Sequence, residues 1–220
     1  MIVKEIFNGV FKIDEKISTK NLTPGYKFFD EEIIRIDESE FRVWNPYRSK
    51  LAAAIKKGLK NFLIKEGMKI LYLGIASGKT ASHISDIIKN EGMIFGVDKS
   101  KRSMKDLLFL AKIRKNIFPI LENAKFPKNY SFIKEIGKID LVYCDISDKK
   151  EVEIFIKNME FFEVKYGMIA IKAKSIDSRL APIEVFEKSK QKLEKVGIKI
   201  VEEIDLEPYE IAHSFFVVEW

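Results

Sequence analysis

From residue 69 onward, short apolar runs and longer amphipathic stretches take turns along the chain. The runs are 70–73, 93–97, 118–121, 139–144 and 168–173, rich in Ile, Leu, Val, Phe and Tyr. Continuous apolar segments of this length suit strands buried on both faces. Between and after them, 80–89, 100–114, 129–136, 151–162 and 183–196 repeat apolar residues at helical spacing. Strands alternating with helices predict a mostly parallel, doubly wound α/β sheet. The end departs from this rule. Segments 198–205 and 213–219 are separated only by 206–212, too short for a helical crossover, so an antiparallel hairpin is expected at one edge.

The first 45 residues follow a period of two. Phe11 and Ile13, then Phe41 and Val43, alternate with polar neighbours within segments 6–13, 32–36 and 40–44, and Asn8-Gly9 and Pro24-Gly25 signal turns. Residues 1–45 therefore read as a small β module, too short for a large core of its own, packed on a domain spanning 46–220. Its acidic, aromatic surface makes it a candidate docking element. Asn45-Pro46 reads as a helix start, and Leu51, Ile55, Leu59 and Phe62 mark one face of a helix over 47–62.

Composition narrows the class. The 220 residues, 46% hydrophobic and 33% charged, suffice for one α/β domain and a small appendage. No apolar run approaches the roughly 20 residues that span a bilayer. The first residues lack a secretory pattern, so a cytoplasmic location is expected. Cys144 is the single cysteine, which excludes an intramolecular disulfide, and no Cys/His cluster has zinc-site spacing, so no metal is expected. The net charge of +6 is uneven: residues 1–45 carry seven Lys/Arg against nine Asp/Glu, a balance of −2, leaving +8 for the rest. That basic body fits either an anionic macromolecular partner or a lysine-rich proteome in which Lys is the default surface residue.

The chemistry gathers around 69–80, Lys-Ile-Leu-Tyr-Leu-Gly-Ile-Ala-Ser-Gly-Lys-Thr. A strand ends at Gly74, a small-residue loop follows, and Thr80 opens a helical pattern. Such a strand–loop–helix presents backbone N–H groups to a bound ligand, although the glycines sit four apart and do not form G-x-G-x-x-G. Ligands of open α/β sheets lie beyond the carboxyl ends of the strands, where Gly74, Asp98, Asn123-Ala124, Asp145 and Lys172 fall. Asp98, 24 positions after Gly74, is placed to accept hydrogen bonds from ribose hydroxyls or to cap the following helix. NAD and S-adenosylmethionine both suit this outline. The loop supplies only part of what a pyrophosphate needs, and the terminal hairpin resembles that of the class I, Rossmann-like methyltransferase sheet.

More specific runs carry a resemblance. Val43-Trp-Asn-Pro-Tyr-Arg-Ser-Lys-Leu-Ala-Ala-Ala54, Leu71-Tyr-Leu-Gly-Ile-Ala-Ser-Gly78, Thr80-Ala-Ser-His-Ile-Ser-Asp86, Ile171-Lys-Ala-Lys-Ser-Ile-Asp177 and Leu206-Glu-Pro-Tyr209 span nearly the whole chain. Together they resemble archaeal fibrillarin, the box C/D ribonucleoprotein 2′-O-methyltransferase. The resemblance implies an S-adenosyl-L-methionine-dependent enzyme that methylates ribose in rRNA and tRNA at positions chosen by a guide RNA. It implies a coiled-coil scaffold protein and a kink-turn-binding protein on the guide RNA as partners. The family's Lys-Asp-Lys-His tetrad falls on Lys50, Asp145, Lys172 and His213. Its cofactor contacts fall on Gly74, Ala76, Lys79, Thr80, Asp98, Lys99, Asn123, Ala124, Asp145, Ile146, Ser147 and Asp148.

A ribose 2′-hydroxyl is a poor nucleophile while protonated, so such an enzyme aligns oxygen, methyl and sulfur and helps the proton leave. On this reading Lys172 contacts the hydroxyl. A sulfonium and a second lysine favour its neutral amine, Asp145 opposes that and holds the amine, and Lys50 and His213 orient ribose and phosphate. His83 is expected to be structural. Four of the family's motifs read differently here: Lys79-Thr80 replaces Thr-Thr, Asp98-Lys99 replaces an acidic-aromatic pair, Asn123-Ala124 replaces Asp-Ala, and Asp145-Ile-Ser-Asp148 replaces Asp-Val-Ala-Gln. They motivate the alternative of a fibrillarin-like structural subunit that binds cofactor poorly.

Overall fold

The computed structural model describes residues 2–220. Its first five strands are β1 (Val3–Phe7), β2 (Val10–Ile13), β3 (Lys16–Lys20), β4 (Ile33–Ile36) and β5 (Ser39–Val43). They form an antiparallel sheet in the order β1-β2-β3-β5-β4. The expected strand over 6–13 is two strands, because Phe7 pairs with Val10 across the Asn8-Gly9 turn. Strand β3 lies outside the expected segments. Its Ser18 and Thr19 are polar yet fully buried, which hides the strand from a hydrophobic pattern.

Helix α1 (Lys50–Lys56) is much shorter than the expected 47–62. Asn45 closes a turn instead of capping a helix, its Oδ1 accepting the Tyr47 N–H at 2.9 Å. Ser49, in extended geometry, is the cap, with Oγ accepting from Ala52 N. At the other end Gly58 is left-handed, with φ +97°. Gly58 N donates to Ile55 O and Leu59 N to Ala54 O, the paired bonds of a glycine-terminated helix.

The remaining elements run β6 (Lys69–Leu73), α2 (Lys79–Ile88), β7 (Met93–Asp98), α3 (Lys101–Ile113), β8 (Ile117–Leu121), α4 (Ile133–Ile136), β9 (Leu141–Cys144), α5 (Glu151–Phe161), β10 (Tyr166–Lys172), α6 (Ala173–Ile176), α7 (Pro182–Lys195), β11 (Lys199–Asp205) and β12 (His213–Glu219). The helix expected over 129–136 is a 3-10 turn, Pro127–Tyr130, followed by the single turn α4. The larger sheet is ordered β11-β12-β10-β9-β6-β7-β8. From β10 to β8 it is parallel, and β12 runs antiparallel to both β10 and β11, as the short 206–212 connection requires. The alternating pattern predicts the parallel part of this sheet, and the terminal hairpin gives it the class I methyltransferase form that the resemblance implies. No helix among the described residues is long and apolar enough to cross a membrane.

One face of the sheet carries α1 and α2 and meets the N-terminal sheet, with Trp44, Val10 and Ile17 sharing a core with Leu51, Ile84 and Tyr72. A buried polar cluster joins the same parts. Asp86 of α2 accepts from Arg42 of β5 at 2.9 Å, from Thr19 of β3 at 2.7 Å, from Leu22 N at 2.9 Å and from Arg114. Arg42 also pairs with Glu31 at 2.9 Å. His83 stacks on Trp44, its ring centroid 4.9 Å away, and meets Thr19 Oγ1 at 2.8 Å. Burial and the nearby Arg42 and Arg114 hold it well below the ordinary histidine range, so it is a neutral, structural residue.

Candidate active site

Strand order reverses at β6, whose neighbours β7 and β9 lead to opposite sides of the sheet. The crevice beyond that reversal is where such sheets bind ligands, and a cleft of about 280 Å³ lies there. Gly74 and Ala76, from the loop after β6, form part of its lining. Gly74 has φ +80°, and a Cβ placed on it would stand 2.5 Å from the Asp145 carbonyl oxygen. Only glycine therefore lets β6 end this close to β9. Ala76 is also left-handed, at φ 51°, and its N–H donates to Asp98 Oδ2 at 2.9 Å. Asp98 Oδ1 accepts from Ser100 N at 2.8 Å. The carboxylate thus ties the loop to the end of β7. It does not cap α3, since Ser100 fills that position.

Val97, Ala124, Ile146 and Ile154 supply apolar walls, and Asp98, Lys99, Glu122, Asn123, Asp145, Ser147, Asp148 and Lys172 supply polar groups. Asn123 Oδ1 is engaged by Lys125 N at 3.0 Å. Asp148 pairs with Lys125 at 2.7 Å. Burial pushes its carboxyl up, but that bond, the Lys150 N–H and the fields of Lys125 and Lys99 outweigh burial and hold it below the ordinary value. Two of the departing positions, Lys99 and Asp148, thus offset each other electrically.

Lys79 and Thr80 do not line this cleft. Lys79 lies over the Phe29 ring, 5.5 Å from its centroid, and 3.9 Å from Asp30, beside a separate smaller cavity against the N-terminal sheet. Thr80 is buried and donates to Ser49 Oγ at 2.9 Å.

The tetrad positions come from four elements and converge. Lys50 Nζ, at the first position of α1, is 3.3 Å from Asp145 Oδ1, and Lys172 Nζ, at the end of β10, is 3.1 Å from the same oxygen. All three side chains are between 13% and 15% exposed, so the ions are shielded but reachable. Lys172 Nζ also donates to Ser147 Oγ at 2.7 Å. His213 opens β12 directly opposite Lys172 in the antiparallel register. Its Nδ1 lies 2.8 Å from the Ile211 carbonyl oxygen, so Nδ1 carries the proton and Nε2 is left as an acceptor. Burial lowers its pKa against that bond, and the positive fields of Lys50 and Lys172 add to the lowering. The ring is neutral near pH 7.

The 206–212 connection is fastened to the α1 region. Lys57 Nζ donates to Glu207 O at 2.6 Å, the Tyr47 and Tyr209 rings stand 5.0 Å apart, and Glu210 is 3.8 Å from Lys50 Nζ. These contacts bring α1 and the start of β12 to the same end of the sheet. Two carboxylates near the tetrad, Glu210 and Glu151, escaped the sequence reading. A glutamate in the first turn of a helix is ordinary, and nothing in the chain's pattern says that Glu151 is buried.

The residues present suit S-adenosylmethionine. Adenine needs apolar walls, which Val97, Ile146 and Ile154 provide; a ribose needs a strand-end carboxylate such as Asp98; and a cationic ligand meets Asp98, Glu122 and Asp145. Asp145 Oδ1, although near two ammonium groups, is buried without an aligned hydrogen bond among the described residues.

The family model for fibrillarin matches residues 1–220. The fibrillarin-like rRNA/tRNA 2′-O-methyltransferase of Methanocaldococcus jannaschii is 45% identical over 225 residues, covering 99% of this chain and 96% of its own. A structure of Aeropyrum pernix fibrillarin with natively bound S-adenosyl-L-methionine superposes with a TM-score of 0.89, at 40% identity over 99% of this chain and 98% of that one. Fibrillarin from a fibrillarin/Nop5p complex superposes at 0.88, with 39% identity over 98% of this chain and 99% of that one. The chain belongs to the fibrillarin family.

Proposed function

We propose that this protein transfers a methyl group from S-adenosyl-L-methionine to the 2′-oxygen of ribose in rRNA and tRNA, directed by a box C/D guide RNA within a ribonucleoprotein. The observation that carries this reading is the Asp145 carboxylate held between Lys50 and Lys172 at the mouth of the cleft, with His213 paired opposite Lys172. The methyltransferase domain is residues 46–220, and the module of residues 1–45 serves as a docking element. Gly74, Ala76, Asp98, Lys99, Asn123, Ala124 and Asp145–Asp148 would hold the cofactor, whereas the side chains of Lys79 and Thr80 are engaged outside the cleft. When bound, it supplies an electrophilic methyl group on a sulfonium.

The chain's own task is to present the acceptor oxygen without its proton. Lys172 Nζ is held by its hydrogen bond to Ser147 Oγ and by the charge of Asp145 Oδ1, and its unused hydrogen-bonding capacity is left for the hydroxyl. Lys50, on the other side of the same carboxylate, adds positive charge that favours alkoxide character in the acceptor. A neutral His213 with Nε2 unprotonated can accept a hydrogen bond from the ribose.

The partners we infer are a coiled-coil scaffold of the Nop5p kind, as in the related complex, a kink-turn-binding protein, the guide RNA and the target RNA, assembled in the cytoplasm. The +8 charge beyond residue 45 supports a nucleic-acid partner. Tritiated-methyl transfer, with scaffold, guide and target added stepwise, tests the reading. Methylation of one target nucleotide only when all are present is expected. Site-specific methylation by the isolated chain overturns the guided mechanism. The Lys99, Asp148 and Lys125 charges in and beside the cleft wall favour a second reading, a structural subunit with weak cofactor binding. Absence of calorimetric binding at millimolar S-adenosylmethionine selects it.

A further inference from the structure

Glu151 is the most deeply buried carboxyl beside the tetrad, and the chemistry above does not use it. It opens α5 and is only 1% exposed. Oε1 accepts the backbone N–H of Lys172 at 2.8 Å. Oε2 is buried with no hydrogen-bond partner among the described residues. The titratable and charged groups around it are Lys172 on β10, Cys144 and Asp145 at the end of β9, and Lys50 on α1.

An ionised carboxylate with one oxygen sealed from water and from every donor is disfavoured, whereas a carboxylic acid places its proton on that oxygen and keeps the other as acceptor. We propose that Glu151 is a positioning residue that serves methyl transfer as a neutral acid, carrying its proton on Oε2 while Oε1 pins the end of the strand that bears Lys172. The proposal rests on the function proposed above. Burial, opposed by the Lys172 N–H and ammonium, pushes the Glu151 carboxyl up to about 8. With Glu151 neutral, Asp145 is the only negative charge shared by Lys50 and Lys172 within the tetrad. With Glu151 ionised, a second negative charge stands beneath Lys172 and opposes the negative charge that develops on the acceptor oxygen during methyl transfer.

Two measurements test this. The first is the carboxyl ¹³C titration of Glu-labelled full-length protein, assigned with Glu151→Gln. A transition near pH 8 is expected, and one in the ordinary glutamate range near pH 4.5 overturns the proposal. This readout needs no activity, so it stands apart from the fate of the methyltransferase reading. The second is single-turnover methyl transfer by the assembled particle from pH 6.5 to 9.5, with wild type and Glu151→Gln. Ionisation at about 8 removes about ten-elevenths of the active form by pH 9. The rate of Glu151→Gln relative to wild type should therefore rise about tenfold between pH 6.5 and pH 9. A ratio that stays flat with pH shows that Glu151 only fills space, and a ratio that falls shows that the charged form is the working one. Either result overturns the proposal.

Discussion

Asp86→Asn is the sharpest test of how the N-terminal sheet is held to the larger one. Asp86, Arg42 and Arg114 have fully buried side chains, and Glu31 is only 6% exposed at its side chain. The cluster balances two guanidinium groups with two carboxylates. Asparagine removes one charge and turns one acceptor into a donor that faces donors. Arg42 keeps Glu31, and Arg114 keeps the Asn21 Oδ1 bond at 2.8 Å, but Arg114 loses its ion-pair partner. Burial already draws Arg114 below its ordinary value despite Asp86. Stranding a buried charge in this way costs about 3–5 kcal/mol. The loss should come near the middle of that range, because Thr19 and Leu22 use different oxygens of Asp86, so one keeps only a weaker neutral acceptor and the other loses its acceptor. Against a total stability of about 5–15 kcal/mol, that is a large share. Urea denaturation followed by circular dichroism measures it, and the midpoint of thermal unfolding should fall by roughly 8–16 °C. Hydrogen exchange should quicken first in β3 and β5. A loss below about 1 kcal/mol at unchanged denaturant slope refutes the reasoning and assigns the attachment to Trp44, Val10 and Ile17 alone.

Other expectations follow from the site. Lys172→Ala should lower guided methyl transfer by about 100-fold or more, while S-adenosylmethionine affinity by calorimetry falls far less; equal losses in both would make Lys172 a binding residue. Gly74→Ala forces a left-handed backbone on alanine, at about 1–3 kcal/mol, and drives Cβ to 2.5 Å from the Asp145 carbonyl oxygen. Cofactor affinity should drop at least tenfold, and native affinity with native thermal stability would contradict the crowding argument. Glu151 also has a signature in stability. Its folded-state pKa is raised from 4.5 to about 8, so between those values the folded protein holds a proton that the unfolded chain sheds. Stability is therefore lost as pH rises through that window, by up to about 1.4 kcal/mol per pH unit. The advantage of Glu151→Gln over wild type in denaturation should grow by on the order of 4 kcal/mol from pH 5 to pH 8, and a constant difference contradicts the buried acid.

The α/β alternation was legible because strands such as Lys69–Leu73 and Leu141–Cys144, buried on both faces, read as continuous apolar runs. The terminal hairpin was legible from the length of one connection. Helix α1 was overextended because apolar spacing continues through Leu59 and Phe62 while the chain has already turned at Gly58, a stop signal that outweighs periodicity. Strand β3 stayed hidden because Thr19 is buried for its bonds to His83 and Asp86, partners 64 and 67 residues away. The convergence of Lys50, Asp145 and Lys172 came from resemblance, since no local pattern joins positions 95 residues apart. Lys79 and Thr80 lie away from the cleft because Phe29, Asp30 and Ser49 claim their side chains. Loop sequence carries no trace of those tertiary partners.

The two edges of β12 divide the work of precision and tolerance. Against β10 it pairs seven consecutive residues, from Tyr166 with Glu219 to Lys172 with His213, without a break. Against β11 the register shifts between Ile200 and Glu202. A slip of one residue turns every side chain of a strand to the opposite face, so on the β10 side it would take His213 away from Lys172. The irregularity is confined to the outer strand, which carries no tetrad residue. An evolving lineage can therefore gain or lose a residue in 199–205 and keep its chemistry, whereas the same change in 166–172 or 213–219 would separate two members of the tetrad at once.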